Sequence, residues 1–292
     1  MQAKPFIKWA GGKGQLLEQL KEHFPAGLEN EIDTYVEPFV GGGAVLFYVL
    51  QNYNIKQAYI FDINKELINT YRCIKENVAE VIKELRVLER DYKASEDKQA
   101  FFYTVRDKYN TIQLNGRLDF EKASRFIFLN RTCYNGLYRV NANGGFNVPF
   151  GKYKNPTICD EQNLLAVSKL LQKVEIIQGS YEQAEEFCIV NTFVYFDPPY
   201  RPLVASFNYA ADGFGDREQK ELAEFYKKLD KKGCKLLLSN SDPKNTNPDD
   251  NFFDELYKPF TIDRIHARRM INCQADKRGN VTEILVRNYA KK

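Results

Sequence analysis

Histidine is almost absent from this chain: His23 and His266 are the whole complement in 292 residues. That shortage argues against a His-based catalytic triad and against a zinc site. The six cysteines, at 73, 133, 159, 188, 234 and 273, include no CxxC pair and no neighbouring His cluster. Reduced thiols are therefore expected, with neither disulfides nor a metal. No apolar run approaches the roughly 20 residues of a membrane span. Residues 1–14 lack the continuous apolar stretch of a signal peptide. A cytoplasmic protein with no membrane partner is the expectation. One further absence is local. From Lys122 to Cys159 there is no Asp or Glu, while Lys122, Arg125, Arg131, Arg139, Lys152 and Lys154 all fall there, in a chain whose net charge is only +3. Tyr134, Tyr138, Phe146 and Tyr153 interleave those charges, so the segment reads as an electrostatic footprint for a phosphate backbone.

What is present alternates short apolar runs with amphipathic stretches. Thr34-Tyr35-Val36 predicts a buried strand, which leads through Glu37-Pro38-Phe39-Val40-Gly41-Gly42-Gly43 into a helix opening at Ala44. Ala58-Tyr59-Ile60-Phe61 predicts a second strand ending on Asp62. Strand, glycine turn, helix, strand and terminal acid make the front half of a nucleotide-binding α/β fold. Leu46 stands where the dinucleotide fingerprint needs its third glycine.

Apolar residues at 67, 71, 74, 78, 81, 85 and 88 predict one amphipathic helix. A second covers 101–109, and 125–130 is helical or extended. Residues 131–154 predict a loop with a β-hairpin turning at Asn143-Gly144-Gly145. Beyond 160 come a strand at 174–177, Gly179-Ser180-Tyr181 and a helix, a strand at 193–196, and a helix at 216–229 capped by Asp216. A strand at 235–239, a short helix at 251–257 and an antiparallel pair, 260–268 with 281–287, close the chain. The fold class is α/β: a core of 1–64 and 159–292 interrupted by an insertion at 65–158.

The run Phe193–Phe196 ends on Asp197-Pro198-Pro199-Tyr200. An exocyclic amine of a nucleobase is a poor nucleophile because its lone pair is delocalised into the ring. A carboxylate and a backbone carbonyl that accept its two N–H bonds localise that pair. Two prolines hold such a turn rigid, and the aromatic ring offers a stacking face for an extruded base. The four residues alone are equally compatible with a strand-ending turn whose Tyr packs.

Phe6-Ile7-Lys8-Trp9-Ala10-Gly11-Gly12-Lys13 fails the phosphate-loop template, because Gly14 follows the Lys and the upstream glycine is missing. Together with Pro38 to Gly43, Asn135-Gly136-Leu137-Tyr138-Arg139, Phe146-Asn147-Val148-Pro149-Phe150-Gly151 and the tetrapeptide, in that order, it resembles the DNA adenine methyltransferase (Dam) family, α-type and D12 class. The resemblance extends through Arg268-Arg269-Met270-Ile271-Asn272 and Thr282-Glu283-Ile284-Leu285. It implies a Rossmann-like S-adenosylmethionine-dependent methyltransferase core with a mostly helical target-recognition insertion carrying the β-hairpin. S-adenosylmethionine is then the donor, S-adenosylhomocysteine the product, and no metal takes part. The implied partner is double-stranded DNA, bound by a monomer, with room for a cognate restriction endonuclease acting on the same site.

The resemblance also assigns residues. Asp197 and the Pro198 carbonyl accept the amine hydrogens and Tyr200 stacks on the flipped adenine. Trp9, Gly11, Gly12, Lys13, Phe39, Gly41, Gly43, Asp62, Ser180, Tyr181 and Asp197 border the donor. Arg139 is the candidate guanine contact, Tyr134 a wedge or stacking residue, and Asn135 a substitute for a lost pairing partner. Leu137 lies within the same hairpin motif. Lys8 reaches a flanking base or a phosphate, while Arg131, Lys152 and Tyr153 contact the DNA backbone. The Tyr-Asn-Gly-Leu-x-Arg pattern favours GATC. Direct transfer agrees with one more absence: the Pro-Cys dipeptide of cytosine-C5 enzymes does not occur. Cytosine-N4 or RNA adenine methylation, and a catalytically silent nucleic-acid-binding subunit, remain the alternatives.

Overall fold

Buried apolar runs of the kind seen at 193–196 belong in a sheet covered on both faces. The computed structural model describes residues 2–202, 214–268 and 280–291. Its strands are β1 (Thr34–Glu37), β2 (Gln57–Asp62), β3 (Val174–Gln178), β4 (Phe193–Phe196), β5 (Lys235–Ser241), β6 (Thr261–Arg268) and β7 (Asn280–Arg287), in the sheet order β3-β2-β1-β4-β5-β7-β6. β1 pairs in parallel with β2 and β4, and β4 with β5, while β7 runs antiparallel to β5 and β6. All four residues of β4 are buried. This is the α/β, Rossmann-like class expected from the sequence. The chain order reverses between β1 and β4, and open α/β sheets gather ligands beyond the strand ends at such a switch point. Here those ends lead into Pro38-Phe39 and Asp197.

The residues form two compact units: 1–14, 40–52 and 61–179 in the first; 15–39, 53–60 and 180–292 in the second. The second holds most of the sheet with α1 (Leu17–Leu20), α7 (Asp216–Lys231) and α8 (Phe252–Leu256). Asp216 is not the cap of α7, as expected, but its first residue. Gly215 precedes it and donates its N–H to the Glu218 carboxylate at 2.7 Å. The Asp216 carboxylate is engaged elsewhere, by the Arg201 guanidinium. Arg269 to Asn272 and Cys273, named above, lie outside the described residues.

The first unit is mostly helical: α2 (Ala44–Asn52), α3 (Lys65–Ala94), α4 (Lys98–Thr111), α5 (Phe120–Thr132) and α6 (Glu161–Leu171). The side chains of Asn64, Asp97, Asp119 and Asp160 accept the first free N–H groups of α3 to α6 in turn. The long α3 buries the predicted stripe but is interrupted. Asn77 leaves the helical region (φ −151°, ψ 76°) and its side chain re-caps the second half at Glu80. Val78, beside that break, is the one member of the stripe that is only half-buried. The uncertain stretch 125–130 is helical, within α5.

The hairpin expected at 131–154 exists as two isolated antiparallel bridges, Cys133 with Phe150 and Val140 with Phe146, not as a full ladder. Its tip turns at Asn141 to Gly145, where Gly144 has φ +77°. The Asn110 side chain substitutes for a missing strand, accepting from the Phe146 N–H at 2.8 Å and donating to its carbonyl at 3.1 Å. No described helix is long and apolar enough to cross a membrane.

The glycine turn after β1 is set by close packing. Gly43 sits at φ +73°, and a Cβ there would lie 2.5 Å from the Tyr71 hydroxyl. That hydroxyl in turn donates to the Gly41 carbonyl at 3.0 Å. Gly43→Ala should therefore cost about 2–3 kcal/mol in urea denaturation, from backbone strain and overpacking together. The same change in a Tyr71→Phe background should cost less, because the clashing oxygen is gone; equal costs would refute the steric account.

Candidate active site

In the second unit, β4 delivers Asp197-Pro198-Pro199-Tyr200 at its C-terminal end, and neighbouring elements hold every part of the turn. Ser239 of β5 donates its hydroxyl to Asp197 Oδ1 at 3.1 Å and shares a 2.9 Å hydrogen bond with the buried Tyr195 hydroxyl. Gln219 of α7 donates to the Pro199 carbonyl at 2.9 Å and accepts from Asn240 at 3.1 Å. Asn240 in turn accepts the Arg201 N–H at 3.1 Å. The Tyr200 hydroxyl donates to Glu283 Oε2 of β7 at 2.6 Å. Among the described residues no donor takes the Pro198 carbonyl. Among those residues the Pro198 carbonyl is thus left without a partner while the next one, of Pro199, is fixed.

Burial first, then the negative charges of Asp197 and Glu283, push the Tyr200 phenol well above its ordinary pKa. Arg201, next in sequence, is clamped by Asp216 and Asp250, each at 2.7 Å, and lies 4.3 Å from the Phe252 ring centre. Phe39, at the end of β1, stacks on Tyr181 at 5.4 Å between ring centres, and Phe214 meets it edge-on at 5.9 Å. Ser180 donates its hydroxyl to Glu182.

The N-terminal motif and the glycine turn belong to the first unit. Trp9 to Gly12 is a reverse turn closed by Gly12 N–H to Trp9 O at 3.1 Å, with Gly11 at φ +75° in the position that favours glycine. Lys13 is buried and donates to the Gly11 carbonyl at 2.9 Å. Gly41 supports the Trp9 indole so closely that a Cβ would lie 2.7 Å from its ring. Asp62, at the end of β2, accepts from Asn64 N–H at 2.9 Å and Gly41 N–H at 3.3 Å. Burial raises its carboxyl pKa, against the opposing effect of those N–H groups.

The basic segment is less basic toward solvent than its composition suggests. Lys122 is buried and donates to the Tyr109 and Ile112 carbonyls, both at 2.9 Å, at the end of α4. Arg131 spends its guanidinium on the Phe6 carbonyl at 2.8 and 3.1 Å. Burial lowers the pKa of both groups. Arg125 pairs with Glu121. Arg139, Lys152 and Lys154 remain exposed.

Arg139 is steered by Asn147, whose side-chain oxygen accepts from Nε at 2.7 Å and whose carbonyl accepts from Nη2 at 3.3 Å. The outer end of its fork is left without a partner among the described residues. Tyr134 is 54% exposed, and Asn135 beside it adopts φ +54°. Leu137 is exposed, and Lys152 adopts φ +53°. Lys8 Nζ lies 4.4 Å from the centre of the Tyr153 ring.

Several of these partners carry no recognisable sequence signal of their own. Asn130 is the clearest: it accepts the Lys8 N–H at 2.7 Å and donates to the Lys8 carbonyl at 2.8 Å and the Gly136 carbonyl at 2.9 Å. Tyr138 stacks on Trp9 at 5.7 Å and 24°. The N-terminal motif is thereby bound to the hairpin. Ser239 and Asn240 could have been suspected only as polar residues in an otherwise apolar strand, and Glu283 only as one member of the Thr282–Leu285 motif, with no role attached.

A family model described as D12 class N6 adenine-specific DNA methyltransferase matches residues 9–271. The type II methyltransferase M.MjaIII of Methanocaldococcus jannaschii is 50% identical, over 99% of this chain and 100% of that protein. The type II methyltransferase M1.LlaDCHI of Lactococcus lactis subsp. cremoris is 37% identical, over 98% of this chain and 95% of its own length. The DNA adenine methylase of Serratia marcescens is 33% identical, over 97% of both.

Asn130→Ala should destabilise the chain by about 2–3 kcal/mol, since it strands three backbone groups, two of them half-buried and one, the Gly136 carbonyl, buried. Asn130→Asp should cost at least as much, because it sets an acceptor against two carbonyls. Denaturant titration of both variants checks this, and a cost under about 0.5 kcal/mol would remove Asn130 as the clamp.

Proposed function

Because the chain belongs to the D12 class of N6 adenine-specific DNA methyltransferases, we propose that it methylates adenine N6 within GATC, on a base turned out of duplex DNA, with S-adenosylmethionine as donor. The observation that carries the reading is the turn at 197–200: a carboxylate, a carbonyl that no donor takes among the described residues, and an aromatic ring, all held on one loop. Asp197 and the Pro198 carbonyl accept the two N6 hydrogens and so return the lone pair to nitrogen. The Tyr200 ring stacks on the extruded base, replacing part of what unstacking costs. A bound S-adenosylmethionine supplies the electrophilic methyl group.

Asp62, a half-buried acceptor at a strand end, suits ribose hydroxyls, and Lys13 suits a carboxylate. Phe39 and Tyr181 offer an apolar aromatic surface, next to Ser180. In the first unit the turn at Trp9, Gly11 and Gly12 supports Lys13, and the turn at Gly41 and Gly43 supports Asp62. Insertion 65–158 carries target recognition. Within it the free end of the Arg139 fork suits the O6 and N7 acceptors of guanine. Tyr134, Asn135 and Leu137 occupy the opened duplex, and Lys8, Lys152 and Tyr153 meet flanking bases or phosphates. Arg131 serves the same face from within, as the strut of the N-terminal segment. The type II names of two relatives support a place beside a restriction endonuclease of the same site.

Modification-aware sequencing of DNA from cells expressing the protein should find N6-methyladenine in GATC and nowhere else. Asp197→Ala should lower transfer of tritiated methyl groups to DNA by about 10³-fold or more while leaving the melting temperature unchanged. Full activity in that variant would sink the assignment. Arg139→Ala should remove about 1–3 kcal/mol of discrimination against oligonucleotides with a replaced guanine. Unchanged discrimination would take Arg139 out of the reading set.

A further inference from the structure

We infer that Glu283 is a positioning residue for base extrusion: its carboxylate holds the Tyr200 ring at the angle the flipped adenine needs. The inference rests on the reading of Tyr200 as the stacking face. Glu283 lies in β7 just before Ile284, Leu285 and Val286, all fully buried, and it pairs across the sheet with Ser241 and with Ile265. A carboxylate in such a strand is costly unless something needs it. What it holds is the Tyr200 hydroxyl, 2.6 Å from Oε2.

A tyrosine ring is set by two torsions, and fixing its backbone alone leaves both to rotate. Here the backbone is fixed on each side, by Gln219 on the Pro199 carbonyl and by Asn240 on the Arg201 N–H. The hydroxyl bond supplies the missing third point, at the far end of the ring. Short hydrogen bonds to a charged acceptor are the strong ones, about twice as strong as neutral pairs. Because burial and nearby carboxylates keep the phenol protonated, the proton for that bond is present throughout the working pH range. A ring so anchored receives a base without first losing rotational freedom, which is preorganisation of the stacking face.

The test uses the full chain in single-turnover methyl transfer at saturating DNA and donor, with a second readout from duplexes carrying 2-aminopurine at the target adenine. Glu283→Ala should lower the transfer rate about tenfold or more, the effect of one hydrogen bond to a charged group. It should also brighten the 2-aminopurine signal, since the probe is less well stacked. Glu283→Gln keeps an acceptor in the same place and should restore both readouts to within about threefold of the original chain, as removal of a neutral hydrogen bond costs little. In a double-mutant cycle Tyr200→Phe and Glu283→Ala should be non-additive, the pair being no slower than the slower single variant.

A wild-type rate in Glu283→Ala, additive losses, or a Gln variant as slow as the Ala variant would each overturn the inference. Melting temperatures of the Gln variant separate misfolding from mispositioning. Asp197→Ala serves as the control for the underlying reading. If it is inactive and Glu283→Ala is not impaired, only this inference fails; if it is active, the assignment of the tetrapeptide fails first.

Discussion

The turn after β4 places a carboxylate, two prolines and a tyrosine at a buried strand end, and hydrogen bonds from neighbouring elements of the second unit hold it there. The tetrapeptide after β4 is fixed by side chains from β5, α7 and β7. Their placement follows from the sheet order. β4 has β5 beside it and β7 next beyond, so polar residues near those strand ends reach the turn without any long side chain. Ser239 and Asn240 stand where the apolar stretch Leu236-Leu237-Leu238 stops. Burying such groups is costly unless each finds a partner, and here each partner is part of the turn or of its support.

The opposite economy governs the recognition segment. Its composition alone points to a broad positive face, yet Lys122, Arg125 and Arg131 are consumed by a helix end, a neighbouring Glu and the Phe6 carbonyl. Charge in the sequence is therefore a poor measure of charge offered to a phosphate backbone. What remains outward is a smaller set with defined geometry, and Arg139 is its best-oriented member because Asn147 occupies one side of the fork.

Within itself the first unit links segments far apart in the chain. Asn130 binds Lys8 and Gly136 together, and Trp9 lies between the Gly41 backbone and the Tyr138 ring. The residue types of the N-terminal motif thus answer to internal packing. Gly41 and Gly43 do so too, since their missing side chains make room for an indole and a phenol of the protein itself.

The α/β class, the strand that ends on Asp197 and the helices α3 and α4 were legible in the sequence, while 125–130 reads there as helical or extended. Each rests on local physics: apolar periodicity and glycines at turns. The same local rules misplaced the start of α7, where Asp216 turned from cap to ion-pair partner, and they gave no warning of the break at Asn77. The ordered motifs also pointed to the family, because the residues that carry the resemblance are adjacent in sequence. What only the tertiary structure decided is which groups are left to act. Lys122 and Arg131 look like their exposed neighbours on paper, Asn130 carries no signal of its own, and the motif that contains Glu283 does not name its partner. Their roles arise from pairs 6 to 125 residues apart, and side-chain availability depends on those partners, most of which lie outside any one window of sequence.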